Sequence, residues 1–303
     1  MKYFIITVDT EGDNLWSYKQ GDTIGTDCIK YIPRFQAQCE KYGFKPVYLT
    51  NYEMLCSDEY IEFAKSTHAK GLCEIGLHLH AWNNPPYHKL PDIYGGNPYL
   101  IEYPEEVMRQ KFDILYNLFC NRLGFMPTSH RAGRWAMNDL YFNILKDYNI
   151  KVDCSVTPLL NWSRIMGATT GGSNYQTAPK NIYDVDGVLE VPLTIRISHR
   201  PVKGSFLHRI KTLIKGRAIQ LRPASCTVSQ MKSLVDTIAA ENDVDYLEFM
   251  LHSSELMPGG SPYFPDEDSI NRLYQINDSV FSYAKAKGYS GITLHEYYTI
   301  KHG

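Results

Sequence analysis

The chain has 303 residues, 44% hydrophobic and 21% charged, a make-up that excludes a disordered segment and supports a large core. Its 31 basic and 33 acidic residues leave a net charge of -2, so no global field favours nucleic acid or an anionic membrane. No run approaches the roughly 18 apolar residues of a membrane helix, and the seven cysteines, Cys28, Cys39, Cys56, Cys73, Cys120, Cys154 and Cys226, show no paired spacing. The first nine residues hold too short an apolar run for a signal peptide. The expectation is a soluble protein of a reducing, cytoplasmic compartment, with no integral membrane segment and no nucleic-acid partner.

Residues 3–8 are β-branched and aromatic, a strand that stops in the acidic loop Asp9-Thr-Glu-Gly-Asp13. Residues 27–42 have helical spacing; Pro33 inside it marks a kink or a late start, and Gly43 closes it. A strand at 45–50, a helix at 58–70 stopped by Gly71 and a strand at 73–80 complete β-α-β-α-β, the pattern of parallel strands joined by helical crossovers. Residues 83–103 carry four prolines and no periodicity, a long loop of the kind that lines a site. A helix at 104–123, opened by Pro104 and closed by Gly124, leads to a short strand at 127–130 that runs into Arg131-Ala-Gly-Arg-Trp135. A helix at 138–148 and a strand at 150–155 follow.

The pattern loosens over 156–187 and returns as a strand at 188–197. Residues 203–222 are basic, with Lys203, Arg209, Lys211, Lys215, Arg217 and Arg222, and read as a solvated helix face. A helix at 225–242, a strand at 246–252, a long helix at 265–287 closed by Gly288 and a strand at 290–294 end the chain. No repeat or low-complexity linker divides it, so residues 1–303 are expected to form one domain.

Within the third strand, His78 and His80 stand at i and i+2 and project from one face. Two neutral imidazoles are half of a metal site, which needs a carboxylate or a third imidazole to complete it. Polar residues gather at the C-terminal ends of several predicted strands: Asp9, Glu11 and Asp13, then His78 and His80, Arg131, Asp153 with Ser155, and His252. In parallel α/β sheets that edge is where loops converge on one cleft. A carboxylate from the first loop with His78 and His80 would hold a divalent ion, lowering the pKa of its water towards about 7 and polarising a carbonyl. A second carboxylate serves as general base, and His252 is the free histidine for the acid role.

The order of the Asp9 loop, the Glu74-Ile-Gly-Leu-His78 segment, the Arg131 segment, Asp153-x-Ser155 and Leu251-His252 resembles the five motifs of the polysaccharide deacetylases. These NodB-homology carbohydrate esterases remove N- or O-acetyl groups from sugars, and the resemblance spans about residues 3–255. It implies a distorted (β/α) barrel and a divalent metal cofactor, most often zinc. It further implies Asp9 as general base, Arg131 orienting it, His252 as general acid with Asp153 tuning it, and His78, His80 and a first-loop carboxylate as metal ligands.

The chain departs from that pattern in three places. The family's paired aspartates are replaced by Asp9-Thr-Glu11-Gly-Asp13; of Glu11 and Asp13, Glu11 is preferred as the metal carboxylate because it shares a face with Asp9. The family's second histidine falls where this chain has Trp82, so His80 takes its place. The Arg131 segment lacks the family's prolines; Gly133 permits close backbone approach, Arg134 is available to an acidic substituent, and Trp82 and Trp135 are candidate sugar contacts. The expected substrate is an acetylated sugar or polysaccharide precursor, such as a nucleotide- or lipid-linked intermediate. The competing readings are an amidohydrolase for cyclic imides or ureides and a non-catalytic carbohydrate-binding module.

Overall fold

A computed structural model describes residues 1–19, 21–199 and 215–303. In chain order its strands are β1 (Lys2–Thr10), β2 (Pro46–Thr50), β3 (Glu74–Leu79), β4 (Ser129–Ala132), β5 (Val152–Asp153), β6 (Tyr183–Val185), β7 (Val188–Glu190), β8 (Ile195–Ser198), β9 (Arg217–Gln220), β10 (Tyr246–His252) and β11 (Tyr289–Gly291). The helices are α1 (Ile32–Tyr42), α2 (Tyr52–Cys56), α3 (Asp58–Ala69), α4 (Glu105–Leu123), α5 (Asp139–Asp147), α6 (Val228–Ala239), α7 (Glu267–Ala286) and α8 (Leu294–His302). The main sheet runs β10-β1-β2-β3-β4-β5-β7-β6, with β11 beside the start of β1, and every pairing but β6 with β7 is parallel. A separate ribbon pairs β8 with β9 antiparallel.

Because β1 has neighbours on both edges and cover on both faces, it is buried from Tyr3 onward, which is why its sequence is a continuous apolar run and not an alternation. Its register with β10 runs from Tyr3 opposite Tyr246 to Asp9 opposite His252, so these two polar residues sit level at the C-terminal edge. On the other side of the sheet, His78 lies opposite Arg131. The sheet is curled: Arg131 of β4 hydrogen-bonds on its concave side to Asp9 and Thr7 of β1 and to Glu248 of β10, although three strands separate β4 from β10 in the sheet. This is the half-closed (β/α) barrel that the motifs implied.

The helices start and stop on the residues that local chemistry favours. Pro33 falls in the first turn of α1, where a missing N–H costs nothing, and a 3-10 turn at Asp27–Tyr31 precedes it. Gly43 and Gly124 end α1 and α4 in the left-handed conformation, at φ 72° and 87°. Asn138, Thr227 and Asp266 cap α5, α6 and α7.

Several expected boundaries move. The strand expected at 188–197 is two, β7 and β8, with Pro192 between them, a residue that has no N–H for a ladder. The strand at 150–155 shrinks to β5, and β6 and α2 are too short for periodicity to reveal. Lys203, Arg209 and Lys211 lie outside the described residues; Arg217 belongs to a strand and not to a helix face. Thr293 ends the last strand's extension by capping α8. Among the described residues no helix is long and apolar enough to cross a membrane, and none of the seven cysteines is in a disulfide.

Candidate active site

Glu11 directly follows β1, His78 lies at the end of β3 and His80 directly follows it, so the sheet edge delivers three donors to one place. The Nε2 atoms of His78 and His80 are 3.0 Å apart. Glu11 Oε2 lies 2.8 Å from His80 Nε2 and 3.5 Å from His78 Nε2. All three side chains are buried. Ligands of a tetrahedral zinc at about 2.0–2.1 Å stand about 3.3 Å from one another, so these atoms surround a volume of the right size for such an ion. The His78 Nδ1–H donates to the Arg131 carbonyl at 2.9 Å, which leaves the Nε2 lone pair facing the site, the arrangement metal-ligating histidines use. The His80 ring is held between Trp82, whose ring centroid is 4.2 Å away, and Gly133, where an added Cβ would stand 2.7 Å from His80 Nδ1.

Burial works against the charge on Glu11, but His252, His78 and His80 outweigh it and hold its carboxyl well below the usual range. Asp13 does something else. Its carboxylate accepts the backbone N–H groups of Asp27 and Cys28 at 2.7 and 2.8 Å, capping the turn before α1, so Glu11 and not Asp13 meets the histidines.

Asp9 is fastened on one side only. Its Oδ1 accepts from Arg131 Nη1 at 2.7 Å, while Oδ2 lies 3.9 Å from His78 Nε2 and 3.7 Å from His252 Nε2. Burial tends to raise the Asp9 pKa, but Arg131, His78 and His252 together lower it, so the free oxygen is ionised. Arg131 is itself fully buried, donating also to Thr7 Oγ1 at 2.9 Å, to the Cys154 carbonyl at 3.0 Å and to Glu248. Burial pushes the Glu248 carboxyl up to about 7 even beside that guanidinium.

The surroundings of His252 differ from the expectation. Asp153 does not support it: its carboxylate accepts from His130 Nδ1 at 2.7 Å and Ser155 Oγ at 2.9 Å, and His130 Nε2 meets the Tyr141 hydroxyl at 2.8 Å, a chain closed within the core. Beside His252 stand Arg222, whose Nη2 is 3.2 Å from Nδ1, and Glu255, which accepts the His252 backbone N–H at 3.0 Å and pairs with Arg222 at 3.2 Å. Sequence reasoning missed both partners. Glu255 and Glu248 had a signal, three residues after and four before His252, and Glu248 shares its strand face. Arg222 was hidden in a basic run.

Arg134 lines the pocket over these residues, with its guanidinium held by neighbouring carbonyls. Its guanidinium donates to the carbonyls of Asn97 and, at 3.1 Å, Met166, and lies 4.0 Å over the Tyr99 ring. Arg134 and Trp135 have φ of 55° and 62°, a left-handed turn that sends the Trp135 ring under the Arg131 guanidinium at 4.9 Å. A pocket of about 450 Å³ opens over Asp9, Glu11, His78, His80 and His252. The chain has four tryptophans, and all of them, Trp16, Trp82, Trp135 and Trp162, line this pocket.

No family model matches the sequence, and no curated protein does. Solved structures match in shape. A candidate glycoside hydrolase/deacetylase from Parabacteroides distasonis aligns with a TM-score of 0.62 at 12% identity, over 99% of this chain and 72% of that one. A 4-alpha-glucanotransferase from Thermococcus litoralis aligns with a TM-score of 0.52 at 12% identity, over 99% of this chain but 38% of that one. A family 4 acetyl xylan esterase from Clostridium thermocellum, solved with a cobalt ion, gives 0.49 at 14% identity, over 99% and 92%. At such identities the likeness is one of fold, and the fold is the curled (β/α) half-barrel of the polysaccharide deacetylase type.

Proposed function

We propose that the chain is a single catalytic domain, a metal-dependent hydrolase that removes an acetyl group from an N- or O-acetylated sugar. The observation that carries this reading is the convergence of Glu11, His78 and His80 on one point beside a one-sidedly held Asp9, on the floor of a tryptophan-lined pocket. Glu11 Oε2, His78 Nε2 and His80 Nε2 would hold the ion, and two nitrogens with one carboxylate suit zinc. The ion when bound supplies a Lewis acid for the acetyl carbonyl and acidifies water.

The remaining work falls to the chain. Asp9 Oδ2 takes the proton of the attacking water, while Arg131 keeps Asp9 ionised and aimed. As the acetyl C–N or C–O bond breaks, that proton passes from Asp9 to the leaving sugar atom. A guanidinium can only donate, so Arg222 leaves the His252 proton on Nε2, which hydrogen-bonds to the departing atom. In this scheme Asp9 delivers the proton expected of His252, and His252 supports the departing atom by a hydrogen bond. Tryptophan faces suit the apolar side of a sugar ring and shield the site from bulk water.

The test is acetate release from N-acetylated amino sugars together with metal analysis of the purified protein. Wild type should carry about one divalent ion and release acetate; Glu11→Gln and His80→Ala should lose both. A protein that neither binds a divalent ion nor releases acetate overturns the reading.

A further inference from the structure

Among the described residues Lys111 is a cation without an anion. It shares the buried stripe of α4 with Met108, Phe112 and Leu115, is 1% exposed and pairs with no carboxylate. Its ammonium donates instead to three backbone carbonyls, those of Ala81 at 2.9 Å, Asn84 at 2.7 Å and Pro86 at 2.6 Å, and lies 5.1 Å over the Tyr103 ring. Asn84 closes the contact from the other side, its Nδ2 donating to the Lys111 carbonyl at 2.8 Å. We propose that Lys111 is a positioning residue of the metal site, a built-in cation that gathers the carbonyls after β3 and thereby fixes the His80 ring. The inference rests on the metal-dependent reading of Glu11, His78 and His80.

A buried ammonium is costly, and burial alone pushes this one down to about 8. An apolar side chain would fill the stripe without that cost, so what distinguishes lysine here is the set of carbonyls it holds. Carbonyl oxygens turned towards one point repel each other unless a cation sits between them. The loop so gathered carries the site. Ala81 follows His80 directly, and the Trp82 ring centroid is 4.2 Å from that of His80. Asn83 Nδ2 donates to Glu53, which also accepts the N–H of Gly12, the neighbour of Glu11. One ammonium therefore braces His80 through its own backbone and Glu11 through Asn83 and Glu53.

The two histidines differ in how much they need this. His78 is oriented by the hydrogen bond from its Nδ1 to the Arg131 carbonyl. His80 Nδ1 is buried and has no partner, although a ligating histidine ordinarily fixes its ring by such a bond. The orientation of His80 thus depends on packing and on where its backbone is pinned, and Lys111 is the pin.

Lys111→Ala removes the equivalent of a propylammonium ion and leaves the three carbonyls facing a hole. Zinc affinity of the chelator-treated variant, by calorimetric titration, should fall about 10–100-fold. Propylammonium in the buffer should restore most of it, uncharged 1-propanol at the same concentration should not, and wild type should respond to neither. In metal-free protein, amide exchange over residues 81–87, read by peptide mass, should run about tenfold faster in the variant and slow again with propylammonium. Zinc affinity equal to wild type, whatever the melting point, would show that the clamp serves the fold alone and overturns the proposal. So would equal recovery in the amine and the alcohol, or a variant that refolds no better in the one than in the other. The exchange measurement needs no metal, which separates the two readings. A wild-type chain that binds no zinc, beside exchange that depends on the ammonium, sinks the metal site and keeps the pin; zinc bound equally by wild type and variant does the reverse.

Discussion

Arg222 Nη2 stands 3.2 Å from His252 Nδ1, and that contact favours one tautomer of the ring. A guanidinium has no lone pair to accept with, so in this contact Nδ1 accepts and Nε2 carries the hydrogen, 3.7 Å from Asp9, whereas Glu255 Oε1, 3.6 Å from Nδ1, is the partner of the other tautomer. Arg222→Met frees the ring to turn over to the other tautomer with Glu255. We expect kcat to fall about 10–100-fold with KM nearly unchanged, the loss of one charge-assisted hydrogen bond at the reacting centre. Arg222→Lys should recover part of it. A rise in kcat in Arg222→Met would mean that the ring works as an imidazolium, and the tautomer assigned above would be wrong.

Arg131 bridges Asp9 and Glu248 with its whole side chain buried, so stability and chemistry meet in one residue. Removing it strands two carboxylates in the core. Arg131→Met should cost about 3–5 kcal/mol in denaturant unfolding, and adding Glu248→Gln should return part of that, because one of the stranded charges is gone. Asp9→Asn separates the two roles: the amide oxygen still accepts from Arg131, so the melting point should hold, while kcat drops about 10²–10⁴-fold. An Asp9→Asn enzyme with full activity removes Asp9 from the mechanism.

What the sequence could reveal follows from the range of each signal. The β-α-β-α-β opening was readable because β1 to β3 are continuous apolar runs and α1 and α3 have glycine stops. The pairing of His78 with His80 was readable because period two is local. Trp16 and Trp162 were not, because nothing in their neighbourhood says that a loop folds over a distant strand edge. Arg222 approaches His252 from 30 residues away, a contact that depends on how β9 and the following turn leave the ribbon. Asp153 misled for the opposite reason: it stands in the motif's position, but His130, one strand over and directly opposite it, is the nearer base.

Glu53 ties the first loop to the loop after β3, accepting from Gly12 N at 3.1 Å and from Asn83. Burial pushes its carboxyl up to about 7, against an ordinary value near 4.5. The folded state therefore holds this proton more tightly than the unfolded chain. Its contribution is fully present below about pH 4.5 and is lost as pH rises through 7, by about 3 kcal/mol in all. Glu53→Gln keeps an acceptor and removes the titration. Urea midpoints measured from pH 4.5 to 7.5 should fall with pH in wild type relative to Glu53→Gln; parallel curves would rule out a raised Glu53.

Gly133 tests whether the donor set is tuned by its neighbours. A methyl there would stand 2.5 Å from the Leu79 carbonyl and 2.7 Å from His80 Nδ1, closer than real contacts allow, so the His80 ring must tilt towards Trp82. The fold should survive Gly133→Ala, since overpacking costs about 1–3 kcal/mol. The displaced Nε2 should not. Zinc affinity, measured by calorimetric titration of chelator-treated protein, should weaken about 10–100-fold, the usual effect of disturbing a ligand's orientation. The melting point gives a second reading: saturating zinc at about 100 times its Kd stabilises wild type by about 2.7 kcal/mol, and Gly133→Ala at the same concentration should gain less. Equal affinity in the two proteins would show that His80 reaches the ion with freedom to spare, and the close packing between Trp82 and Gly133 would then serve the fold alone.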